Sequence, residues 1–125
     1  MTDLTGVRVR RIYDDPLPDD GTRVLVDRLW PRGVSKSRAQ LDEWCKDIAP
    51  STELRRWYQH DPTLFAEFSR RYVHELREPT PAAALAHLEE LAAQRPLTLL
   101  TATKNPEISE AAVLCELLTH NEPAT

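Results

Sequence analysis

At 125 residues, 41% of them apolar and 29% charged, the chain has the length of one compact domain that buries roughly two thirds of the surface its unfolded form exposes. That composition excludes a disordered or fibrous class, and a formal net charge of −4 argues against general nucleic-acid binding, which calls for a basic excess. No apolar run approaches the roughly 20 residues that cross a bilayer, and Met1-Thr-Asp-Leu-Thr-Gly6 lacks the basic and apolar regions of a signal peptide, so a cytoplasmic protein without a membrane partner is expected.

In chain order, residues 7–13 alternate apolar and basic positions at period two, the pattern of a strand exposed on one face at a sheet edge. Residues 14–21 stack two prolines, four aspartates and a glycine, and read as a loop. A second strand spans 23–29, its Val24-Leu-Val26 run apolar enough for a central position. Residues 33–38 read as a loop or short helix, and 41–49 as a short strand with its approaches.

The remainder is mostly helical. Asp61-Pro62, Thr80-Pro81 and Asn105-Pro106 each predict a side-chain oxygen at the N-cap and a proline at the first helical position, where its missing N–H is harmless. Ser51 caps a shorter helix through about Tyr58, with Glu53 near its positive end. Leu64, Phe65, Phe68, Tyr72, Val73 and Leu76 recur at helical steps, as do Leu85, Leu88, Leu91 and Ala92, and both stripes predict core faces. Residues 97–102 form a short buried strand between two helices, which implies an α/β fold with a small, mainly parallel sheet flanked by helices. One domain is expected over 1–125, with its core at about 7–118 and short tails at 1–6 and 119–125.

Charge is sorted along the chain. Residues 7–38 hold eight Lys/Arg and five Asp/Glu, whereas residues 78–125 hold two Lys/Arg and seven Asp/Glu. Within the basic part, an apolar strand runs into Arg28, Trp30 and Arg32, and carboxyl ends of parallel strands border ligand-binding crevices. Planar guanidinium forks at Arg28 and Arg32 suit bidentate capture of phosphate or carboxylate; the structural alternative is pairing with Asp27, Asp42 or Asp47. Trp30 is a wall for a planar ligand or, beside a proline, a packing anchor. Lys104 follows the last strand and would join the arginines if the two strands are parallel neighbours, together with the free N–H groups of a helix capped by Asn105.

Catalytic roles are weaker. His60 beside Asp61 has general acid/base potential, but Asp61 already serves as an N-cap; His60 and Asp27 remain the weak candidates for proton transfer. His74 and His87 have no partners at metal-binding spacing, so no metal site is expected. Cys45 and Cys115 form no CxxC pair and are expected as reduced thiols, Cys45 buried and inert. No cofactor follows from the residues, and a homodimer is an expectation only from the prevalence of such assemblies.

The ordered series Val24-Leu-Val-Asp-Arg-Leu-Trp-Pro-Arg-Gly33, Trp44 to Ala49-Pro50-Ser51, Leu54-Arg-Arg-Trp57, His60-Asp-Pro62, Glu67-Phe68, Arg71-Tyr72 and Leu97-Thr-Leu-Leu100 resembles the DUF488 family in its short YeaO-like form. The resemblance covers roughly residues 7–118 and implies a compact fold with Rossmann-like layering, without an established activity. It also implies an acidic residue and a His-Asn-His-type stretch after the last strand, or cysteine and histidine there in longer members. This chain has Lys104-Asn-Pro-Glu-Ile-Ser-Glu110 instead. Two functional expectations follow: an anionic small molecule bound, with or without chemistry, at Arg28, Arg32 and Lys104, or a non-catalytic regulatory module docking an acidic protein segment or nucleotide.

Overall fold

The computed structural model describes residues 6–120; of the expected tails, 1–5 and 121–125 lie outside them. Four strands, β1 (Val7–Arg11), β2 (Thr22–Leu25), β3 (Glu43–Trp44) and β4 (Leu97–Thr101), form one sheet in the order β1-β4-β2-β3. Every pairing is parallel. Five helices accompany the sheet: α1 (Lys36–Ala39), α2 (Thr52–Tyr58), α3 (Phe65–Glu75), α4 (Pro79–Gln94) and α5 (Glu110–His120). None of the described helices is long and apolar enough to cross a membrane.

Side-chain alternation along the strands divides the core. Val24, Val26, Leu97 and Leu99 face a cluster with Phe68, Tyr72, Leu88 and Leu114 from the helices. Leu25 and Leu100 point the other way, onto Ile12, Val34 and Ala39, with Trp30 and Trp44 packed against them. Both predicted helical stripes thus supply core residues. Beyond β2 the chain leads to β3, whereas beyond β4 it leads to α5, which packs on β1. The two chain paths part at the carboxyl ends of neighbouring strands, the switch point at which parallel sheets open a crevice.

Several boundaries differ from the sequence reading for local reasons. The second strand ends at Leu25 instead of 29, because the chain turns where Asp27 is drawn onto the end of β4. The strand expected within 41–49 shrinks to Glu43–Trp44, followed by a 3-10 turn at Lys46–Ile48. Ser51 does cap α2, its hydroxyl accepting from the Leu54 N–H at 3.1 Å. Asp61 also caps as expected, accepting from the Thr63 N–H at 3.0 Å, although a 3-10 turn at Pro62–Leu64 precedes α3.

Thr80 does not cap its helix: α4 begins at Pro79 after Glu78, because the earlier of two prolines takes the first turn. Asn105 makes no side-chain cap either. It precedes only a 3-10 turn, Pro106–Ile108, and the last helix starts at Glu110.

The amino ends of the strands are held by a buried ion cluster. Asp20 is 1% exposed and receives Arg8 at 2.7 Å, Arg10 at 3.2 Å, Arg23 at 2.5 Å and the Leu17 N–H at 2.9 Å. Burial alone would raise its carboxyl, but the Leu17 N–H, the Arg23 hydrogen bond and the charges of Arg10 and Arg23 outweigh that and hold it below the usual carboxylate range. The next residue, Gly21, has φ +66° and lies where an added Cβ would stand 2.1 Å from the Pro96 carbonyl oxygen, so this close approach to β4 requires glycine.

Replacing Asp20 by alanine leaves three guanidiniums without their common partner and should destabilise the fold by about 3 kcal/mol, the order found on breaking buried ion pairs. Because the folded pKa is depressed, Asp20's contribution is complete above the unfolded value of about 3.9 and fades as pH falls through the lower folded value. Urea unfolding of the wild type and Asp20→Ala at pH 7 and pH 3 should therefore show the difference shrinking in acid; an undiminished difference would refute the electrostatic origin.

Candidate functional site

The crevice at the switch point is organised by Asp27. One of its carboxylate oxygens accepts from the Thr101 hydroxyl at 2.8 Å and the other from the Ala102 N–H at 2.8 Å, so the segment after β2 is stitched to the end of β4. Its carbonyl accepts from the Trp44 indole at 2.8 Å. Trp30 donates its indole N–H to the Val34 carbonyl at 2.6 Å and meets Trp44 edge to face with ring centroids 5.3 Å apart. Trp30 is thus held as a packed wall that still borders the cleft.

Glu110, the first residue of α5, brings a second carboxyl onto Asp27. Burial pushes the Glu110 carboxyl well above its ordinary range, and the hydrogen bond and negative charge of Asp27 raise it further, against the α5 backbone and the positive charge of Arg55. A carboxyl set against a second carboxyl favours its neutral form, because both ionised would repel at close range. Sequence reasoning missed Glu110. An acid in the first turn of a helix ordinarily reads as a partner for the helix dipole, and the only available signal was its place after the last strand.

Arg55 approaches from α2. That helix is anchored on α3 by Glu75, whose carboxylate accepts from the Ser51 N–H at 2.9 Å and the Ser51 hydroxyl at 2.5 Å. The guanidinium reaches only the Thr52 hydroxyl, at 3.3 Å, and its Nε is buried with no hydrogen-bond partner. Gln59 and His60 follow with φ of +47° and +57°, two successive left-handed residues that are uncommon without glycine. They turn His60 onto the rim of the cleft, 6.0 Å from the Tyr58 ring between centroids.

The cleft, about 350 Å³ in volume, also includes Arg28 and Arg32 in its lining. Both are exposed, and neither guanidinium meets a carboxylate or other acceptor among the described residues. Of the intramolecular alternatives Asp27, Asp42 and Asp47, two are engaged elsewhere, Asp27 as above and Asp42 by the Arg23 N–H at 2.8 Å. Most of the basic excess in 7–38 is likewise consumed. Asp20 takes Arg8, Arg10 and Arg23, Asp15 takes Arg38 at 3.5 Å, and Arg11 donates to the Thr103 carbonyl at 2.9 Å while lying over the Tyr13 ring.

Lys104 is not brought into this lining, which ends at Thr103 on that side. The helix expected to present its N–H groups beside Lys104 begins at Glu110 instead. Cys45 is buried, and burial first, then the charges of Glu43 and Asp47, push its thiol up to about 11, so it holds no reactive thiolate at neutral pH. Among the described residues no group of three His, Cys, Asp or Glu side chains is gathered as a metal would require.

Comparison with known proteins agrees with this chain of motifs. The sequence model of the inactive DUF488-N3 subclade matches residues 6–124. An uncharacterized protein of Mycobacterium tuberculosis is 52% identical over 118 residues, covering 94% of this chain and 98% of its own length. The uncharacterized protein YeaO of Escherichia coli is 41% identical over 113 residues, covering 90% of this chain and 96% of its own length. No solved structure matches the chain. The protein belongs to the DUF488 family, in its YeaO-like form.

The carboxyl pair has a measurable signature. A raised folded pKa at Glu110 means that stability declines as pH rises above the unfolded glutamate value, about 4.3, until the folded value is passed. Glu110→Gln keeps a donor to Asp27 and removes that titration. Thermal unfolding should find the variant more stable than the wild type at pH 7, with the gap narrowing toward pH 4; a gap independent of pH would show that the Glu110 pKa is not raised.

Proposed function

We propose that this DUF488 protein binds a small anionic molecule, bearing a phosphate or a carboxylate, in the cleft between the ends of β2 and β4, and that it does so without turning it over. The observation that carries the reading is the pair of unneutralised guanidiniums, Arg28 and Arg32, bordering a concave site in a chain whose other arginines near β1 and β2 have partners. Arg55 adds a third positive charge with an unused buried N–H. Opposite them, Glu110 has its pKa raised by burial and by Asp27, which favours its neutral form and lessens the negative charge on that side. The balance around the cleft is positive, and guanidinium forks match the planar geometry of carboxylate and phosphate oxygens.

Binding without chemistry is favoured by what the lining contains. The cleft has no cysteine, and both oxygens of Asp27 already accept hydrogen bonds, which makes it a positioning group. His60 has no carboxylate to orient it, since Asp61 is committed to Thr63. The description of the matching subclade as inactive points the same way. A hollow of this volume suits a small molecule better than an acidic protein segment, which calls for a long shallow groove.

Titration calorimetry with inorganic phosphate and with acetate tests the proposal. Arg28→Ala and Arg32→Ala should each weaken binding about tenfold or more, since a charge-assisted hydrogen bond contributes about 1.5–3 kcal/mol. Lys104→Ala should change it by less than about twofold, since an exposed charge outside the lining is screened by solvent and salt. Undiminished affinity in both arginine variants would end the proposal.

A further inference from the structure

The cleft that holds Arg28 and Arg32 does not stop at Glu110. A second hollow of about 460 Å³ adjoins it, and the two share Leu29, Pro50, Arg55, His60 and Glu110 as common walls. Their linings differ in chemistry. The first is bordered by Arg28, Arg32 and the threonines at the end of β4, whereas the second, which Arg56 also borders, is backed by the aromatic pair Tyr58 and Phe68, stacked with ring centroids 4.2 Å apart. Tyr58 is fixed in place by its hydroxyl, which donates to the Ile108 carbonyl at 2.7 Å just before Glu110.

We propose that the ligand carries a flat ring joined to its anionic group, with the anion beside Arg28 and Arg32 and the ring in the second hollow, between Leu29 and the Tyr58–Phe68 stack. The proposal rests on the anion-binding reading and adds the class of molecule, an aryl or heteroaryl phosphate or carboxylate. Leu29 is the first support: it is 69% exposed, between two arginines, and forms a wall of both hollows. An isolated exposed leucine is ordinary, but one at the junction of a charged and an aromatic chamber gains burial when a ring lies against it. At the same junction, the unpartnered Arg55 Nε–H offers a donor for an acceptor atom on the ring edge. His60, turned onto the rim by its left-handed backbone, borders both chambers and can cover the ring's outer edge. A ligand filling only the anion chamber would leave the Tyr58–Phe68 wall unused, and a pocket of this combined kind suits a molecule larger than a bare anion.

Inorganic phosphate, cyclohexyl phosphate and phenyl phosphate form the test series, titrated into the wild type, Leu29→Ala and Arg28→Ala. Phenyl phosphate should bind about tenfold tighter than inorganic phosphate and clearly tighter than cyclohexyl phosphate. Leu29→Ala should bring the ratio of phenyl phosphate to inorganic phosphate affinity close to one, and Arg28→Ala should weaken all three. Phenyl phosphate binding no tighter than inorganic phosphate, or no tighter than the saturated ring, would overturn the aryl inference while an Arg28-dependent phosphate site stood. An increment that survives in Leu29→Ala would also overturn it. Binding of none of the three would overturn both the inference and the anion site beneath it.

Discussion

The carboxylate of Asp27 is the constraint on which the rest of the site depends. A parallel sheet leaves the ends of β2 and β4 pointing the same way, and the chain paths beyond them diverge, so nothing in the sheet itself closes the gap. Asp27 closes its floor by accepting from Thr101 and Ala102, and its carbonyl fixes Trp44, which in turn backs Trp30. The second strand ends early for the same reason. Once Asp27 has turned toward β4, Arg28 and Leu29 are carried out of the sheet into solvent, which is where an arginine can remain unpaired at little cost. Glu110 then meets an anion already in place, and its own burial together with that encounter raises its pKa.

Charge is handled oppositely at the two ends of the strands. At the amino ends, one aspartate with almost no exposure gathers three arginines, and the cluster is satisfied by hydrogen bonds from both side chains and backbone. At the carboxyl ends, the positive groups are left apart from the negative ones: the acids are turned on each other at the floor, and Arg28 and Arg32 stand at the rim. A chain with a net charge of −4 can therefore present a locally positive hollow. The excess of arginine in residues 7–38 is a mixture of two devices, a structural clamp and a site, which composition alone does not separate.

Much of this was legible in the residues. The edge position of β1, the central position of Val24 to Val26, the cap at Ser51 and the helical core stripes all follow from period and cap chemistry, because each depends on neighbours a few positions away, whereas the parallel pairing of β2 with β4, held only as a condition, joins segments far apart in sequence. The errors have one source. Thr80 and Asn105 sit before prolines as Asp61 does, yet neither caps, since the choice between successive prolines and between a 3-10 turn and a helix is made by what the segment packs against. Displacing the last helix start from Asn105 to Glu110 moved the site's acid into view and Lys104 out of the lining. The Asp27–Glu110 and Asp20–Arg23 relationships join residues whose meeting is decided by topology, and Arg23 reads in sequence like any strand arginine.

A site that binds and one that catalyses ask different things of the same groups. Catalysis needs a proton acceptor near its operating pH and a nucleophile within reach, whereas here the acid floor is occupied on both sides and the buried thiol of Cys45 belongs to the core. For binding, the same arrangement is an advantage. A doubly ionised floor would repel an incoming anion, whereas a Glu110 carboxyl pushed toward its neutral form lessens that repulsion, and the rim arginines have no internal partner to give up. The segment after β4, Lys104 to Glu110, ends in the carboxyl that completes the floor beside Asp27.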